Sequence, residues 1–204
     1  WLNWDLTDDE RAFLEFVAQI IAFRRRHPVF SRRRFLRGRT LADGLKEVAW
    51  LRPDDQEMSD KDWNTGFNRC IGVYMAGTVI ERVDRRGKPI KDNNFLLLFN
   101  AHHEEIPFQL PEFHEGGGWQ LLLDTANEKH PFEQRGFAAG DKYPLQGRSM
   151  AVLIATTPHA SLRTHRGTAP ATQPPAKRGS ATDDTQARVP DTSGPAGRAT
   201  GFVA

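Results

Sequence analysis

A chain of 204 residues, 38% of them hydrophobic, is long enough for one or two domains with a real apolar core. No apolar run approaches the length of a membrane span, and no charged-then-apolar start resembles a signal peptide. The formal charge of +2 is concentrated late: residues 156–204 hold six Arg or Lys against three Asp, which leaves residues 1–155 near neutral and argues against a nucleic-acid domain.

The first element is "TDDERAFLEFVAQIIAFRRRHP", which reads as one helix with both ends marked. Thr7 with Glu10 three residues on forms a capping box. Asp8 and Asp9 suit the positive end of the helix dipole, Arg24 to Arg26 suit the negative end, and Pro28 stops the helix. At about 100° per residue, Phe13, Val17 and Ile20 run down the middle of one face. Leu14 and Ile21 flank them on one side, Phe16 and Phe23 on the other. A stripe this wide requires a large packing partner.

"RRRHPVFSRRRFLRGR" follows, with eight arginines in sixteen residues. Such density would suit phosphates. Three of these arginines end the helix, however, and the others alternate with Val29, Phe30, Phe35 and Leu36, which are expected to pin the segment to a core. Arginine stems also cover apolar surface while their heads pair with acidic neighbours. The reading is structural.

From about residue 46 the pattern changes to short apolar runs with turn punctuation: "EVAWLR", "CIGVYMAG", "NFLLLFNA", "IPFQLP", "WQLLLDTA" and "YPLQGRSMAVLIA". Five or six strands without intervening helices predict an antiparallel β-sandwich. Asp60 to Trp63 add a helical turn capped by Ser59. Cys70, the only cysteine, reads as a small core residue in an apolar strand, and one cysteine cannot form an internal disulfide, so a reducing cytoplasm is expected. Residue 1 is Trp and the methionines stand only at 58, 75 and 150, so a processed start or a piece of a longer protein is expected.

"FNAHHEEIPFQLPE", residues 99–112, sets two histidines beside two glutamates. The helical zinc motif needs histidines four apart on one face, whereas His102 and His103 are adjacent at a strand end, where neighbours point to opposite sides. No metal is expected. A retaining glycosidase needs carboxyl groups ~5–5.5 Å apart across a sugar. Glu104 and Glu105 alternate along an extended chain and are not expected to converge on one bond. No phosphate loop, nucleophile elbow or Cys pair appears, so no catalytic residue is assigned. After Ala155, Thr, Ala, Gly, Arg and six of the thirteen prolines dominate, and residues 156–204 are expected to be a disordered tail.

Read together, "WLNWDL", "FRRRHPVFSRRRFLRGR", "VAWLRPDDQEMSDKDW", "FLLLFNAHHEEIPFQLP" and "GRSMAVL" follow one another in an order that closely resembles the C-terminal region of bacterial glycogen debranching enzymes, the isoamylase-type members of the α-amylase superfamily. The resemblance covers nearly all of residues 1–155. It implies that residues 1–40 are the last helix of a (β/α)8 barrel with its connector, and that residues 41–155 are the β-sandwich called domain C. It implies an upstream barrel of the same protein as partner, glycogen or another α-glucan as substrate of the intact enzyme, and no cofactor. The family's catalytic carboxylates lie on earlier barrel strands, so none carries over to this chain. Trp1 and Trp4 become candidates for stacking on sugar faces, against the alternative that they are core residues. Asp55 stands where the resemblance leads one to expect the Gly of a Pro-Asp-Gly turn, so that turn must tolerate a side chain. A stand-alone carbohydrate-binding or interaction module is the other reading of the same sandwich.

Overall fold

In the computed structural model the described residues are 1, 4–32, 36, 38, 46–78, 80, 82–157 and 162–163. All of them fall within one unit, Trp1–Pro170. Most of the expected tail, together with Phe35 and the connector around it, lies outside the described residues.

Helix α1 spans Asp8–Arg26 and begins as the capping box requires. The Thr7 hydroxyl accepts from the Glu10 amide at 3.3 Å, and the Glu10 carboxylate accepts from the Thr7 amide at 2.8 Å. A single 3-10 turn, Pro28–Ser31, follows. Among the described residues, eight strands then form two antiparallel sheets. The larger contains β1 (Val48–Leu51), β2 (Cys70–Met75), β3 (Phe95–Asn100), β5 (Gly118–Asp124), β6 (Arg135–Ala138) and β8 (Ser149–Ala155), in the order β1-β2-β3-β8-β5-β6. The smaller pairs β4 (Ile106–Gln109) with β7 (Lys142–Leu145). A one-turn helix α2, Asp60–Trp63, is capped by Ser59 as expected.

The two sheets enclose the main core. Alternate residues of the large sheet, such as Leu51, Tyr74, Leu98, Trp119 and Leu153, meet Phe108 and Leu145 from the small one. Cys70 belongs to this core as expected. Contact between the sheets is close at Gly72, where a β-carbon would come within 2.5 Å of the Phe108 ring. The sandwich expected from the sequence is therefore present.

A third layer covers the other face of the large sheet. Phe16, Ile20, Phe23 and Phe30 pack on Phe95, Leu123 and Val152. A bulge in β5 between Leu121 and Leu123 makes both cores possible. One extra residue reverses the alternation, so Leu121 faces the inner core and Leu123 the outer one.

Two sequence readings need correction in detail. "YPLQGRSMAVLIA" is two strands rather than one, because Gly147 and Arg148, the latter at φ 54°, break the run. Arg135–Ala138 is an additional strand that lay partly within the expected polar loop, since only Phe137 of its four residues is a large apolar side chain.

Candidate functional site

Three regions bear on function: the aromatic start, the histidine–glutamate stretch, and the outer face of α1.

Among the described residues of this chain, Trp1 and Trp4 pack against no core. Relative exposures of 123% and 76% place both rings in solvent, ahead of α1.

The histidine–glutamate stretch is shaped by Asn100, a residue the sequence reading passed over. Its side chain is 2% exposed. The amide nitrogen donates to the carbonyls of Glu104, Leu145 and Gln146 at 2.9–3.1 Å, and the amide oxygen accepts from the His102 N–H at 2.9 Å. The strand therefore stops at Asn100 and the chain bends through 102–104. From the opposite side, the Arg148 amide donates to the His102 carbonyl, and Gly147 lies so near the His103 carbonyl that a β-carbon would approach it to 2.3 Å.

This bend corrects the expectation that neighbouring side chains diverge. The His102 and His103 rings lie 4.2 Å apart, and their nitrogens stand 4.0 and 3.8 Å from the Glu104 carboxylate. The three residues form one group of potential metal ligands. Two features weigh against metal binding. His102 Nδ1 already accepts from the Glu104 amide at 3.2 Å, and the His103 and Glu104 side chains are 62% and 72% exposed. Glu105 turns away and accepts from Gln146 Nε2 at 2.5 Å. The two glutamates thus have separate partners.

In the arginine-rich segment Val29, Phe30 and Arg32 are structural, while Arg24, Arg25 and Arg26 are exposed. Val29 is buried, Phe30 packs on Phe95 with ring centroids 4.9 Å apart, and Arg32 bridges Glu47 at 2.9 Å with both side chains nearly buried. Leu36 departs from expectation at 36% exposure. The segment is further clasped by Asp92, whose carboxylate meets His27 Nδ1 at 2.9 Å and accepts from the Val29 amide at 3.1 Å.

The apolar stripe of α1 divides along its length. The Phe16 and Phe23 flank, with Ile20, rests on the sheet. The opposite flank, Leu14 and Ile21, is 53% and 51% exposed, and Phe13 beside it is 66% exposed. A groove of about 490 Å³ lies on the covered side, between Phe13 and Phe16 of α1 and the loop that carries Phe132. The sandwich covers one side of the helix and leaves the other open.

With this geometry in view, similarity to known proteins is informative. The family model described as "Isoamylase, C-terminal" matches residues 47–154. The glycogen operon protein GlgX homolog of Mycobacterium tuberculosis is 35% identical over 158 residues, covering 76% of this chain and 22% of that protein. The isoamylase of Pseudomonas amyloderamosa is 23% identical over 163 residues, covering 76% of this chain and 19% of that protein. A glycogen debranching enzyme of Pectobacterium carotovorum is 26% identical over 157 residues, covering 77% of this chain and 18% of that protein. The chain spans about a fifth of the length of these relatives.

Proposed function

Because the chain belongs to the isoamylase C-terminal family, we propose that it is the non-catalytic C-terminal part of a glycogen debranching enzyme, which hydrolyses α-1,6 branch linkages in glycogen. In this reading residues 1–40 supply the last helix of an upstream (β/α)8 barrel with its connector, and residues 41–155 are domain C. The barrel, whose strand ends gather the catalytic groups, carries the chemistry. The sandwich holds the barrel's last helix from outside.

The divided stripe of α1 supports this reading most. Phe16, Ile20 and Phe23 already have a partner in the sheet, while Phe13, Leu14 and Ile21 have surface to bury. Covering three such side chains favours docking by on the order of 5 kcal/mol. A self-contained binding module has no use for a helix with one apolar side open, which disfavours the alternative. A cytoplasmic setting fits the single free, buried thiol at Cys70. No helix among the described residues is long and apolar enough to cross a membrane.

Incubating the purified chain with glycogen and assaying reducing ends tests the catalytic part of the reading. No release is expected, since Glu104 and Glu105 are drawn to separate partners. Hydrolysis by the chain that disappears on substituting one of its own carboxylates would contradict it.

A further inference from the structure

We propose that a small polar cavity between the end of β5, β6 and β7 is a carbohydrate site, holding a single glucosyl unit of an α-glucan; the choice of α-glucan rests on the function proposed above. The cavity measures about 210 Å³. That is below the roughly 300–1,000 Å³ of sites for drug-sized ligands, so it admits one ring-sized unit.

Its lining has the composition that hydroxyl recognition needs. Asp124, His130, Glu133 and Arg135 surround it, with Phe137 and Tyr143 as aromatic walls. The fixed parts are already set. Asp124 accepts from the Tyr143 hydroxyl at 2.8 Å and from the Ala126 amide at 2.9 Å, and Tyr143 is buried edge-on against Phe137. Burial and its bond to Asp124 push the Tyr143 phenol well up, so it remains a neutral donor. Glu133 accepts from Asn127 Nδ2 at 3.3 Å and Gln146 Nε2 donates to Glu105, which leaves Arg135 and His130 as the open groups. Among the described residues, neither the Arg135 guanidinium nor the His130 ring makes a hydrogen bond, and the guanidinium is held over the Phe137 ring at 5.1 Å. Unspent donors beside preset acceptors are what a vicinal diol requires, and their prior placement lowers the cost of binding.

Charge decides the ligand class. Two carboxylates, Asp124 and Glu133, face one guanidinium, so the lining disfavours phosphate or carboxylate ligands and suits a neutral polyol.

Titrating the full chain with maltoheptaose, followed by amide chemical shifts, tests this. Saturable binding is expected, with shifts concentrated between Asp124 and Phe137. Arg135→Ala should weaken it about tenfold, the equivalent of one charged hydrogen bond. Glu133→Gln should weaken it as well, and Trp63→Ala should leave it unchanged. No saturable binding of any oligosaccharide, wild-type affinity in both cavity variants, or shifts centred on the exposed Trp50–Trp63 pair would each overturn the proposal. Binding of cellohexaose instead of maltoheptaose, with the same dependence on Arg135, would uphold the cavity and overturn the α-glucan reading on which the ligand was chosen.

Discussion

Asp55 sits where two effects oppose it. Its backbone adopts φ 62°, a region that favours glycine, and its side chain is only 4% exposed. Burial pushes its carboxyl up to about 7 from an ordinary 3.8, with Glu112 and Asp54 adding repulsion. An acid raised in the folded state is bound to its proton more tightly there than in the unfolded chain. Its contribution to stability is therefore full below about pH 4 and is lost as pH rises through about 7. Urea unfolding midpoints at about pH 5 and about pH 8 should differ in that direction, and Asp55→Asn should flatten the difference. Asp55→Gly should stabilise the chain by about 1–3 kcal/mol at neutral pH, by relieving the backbone and removing the buried carboxyl. The strain was legible in the sequence as an Asp where a turn wants Gly. Asn100 was not, because Leu145 and Gln146, two of the residues it binds, lie far along the chain and an Asn at a strand end reads as surface. Asn100→Ala should cost roughly 2–4 kcal/mol by orphaning buried carbonyls, measured as a lower unfolding midpoint.

Elements were read well where one physical signal dominated. α1 carried both caps and a 3.6-residue stripe, and the central strands were apolar runs bounded by turns, so their existence followed directly. β6 lacked such a signal, since its pairing with β5 and not its own composition makes it a strand. How α1 is fastened was equally hidden, because its clasp Asp92 lies 65 residues from His27. Asp92→Ala should leave the buried Val29 amide and His27 without partners and cost about 2–4 kcal/mol. Limited proteolysis should then cut within 8–31 faster, and unchanged cutting would show the clasp to be idle. Past the expected sandwich boundary, the Thr156 hydroxyl exchanges bonds with the Gly118 backbone, and Arg163 pairs with Glu112 at 2.9 Å. A chain ended at Ala155 should therefore unfold about 1–2 kcal/mol more easily than one ended at Arg163.

For the molecule as a whole, the sequence predicts a stripe on α1 that requires a large packing partner, and the structure shows which part the sandwich leaves over. That remainder, Phe13, Leu14 and Ile21, is the surface that the proposed function has the rest of a larger enzyme cover. Removing all of residues 1–40 would strip Phe16, Ile20 and Phe23 from the sheet and expose Phe95, Leu123 and Val152, so the sharper intervention changes only the open flank. Sedimentation velocity of the intact chain beside its Leu14→Gln, Ile21→Gln variant is the most direct test. The unsubstituted chain should self-associate and bind a hydrophobic dye, whereas the variant should sediment as a monomer with weaker dye binding and an unchanged fold. An unsubstituted chain that is a monodisperse monomer and binds no dye would contradict the need for such a cover.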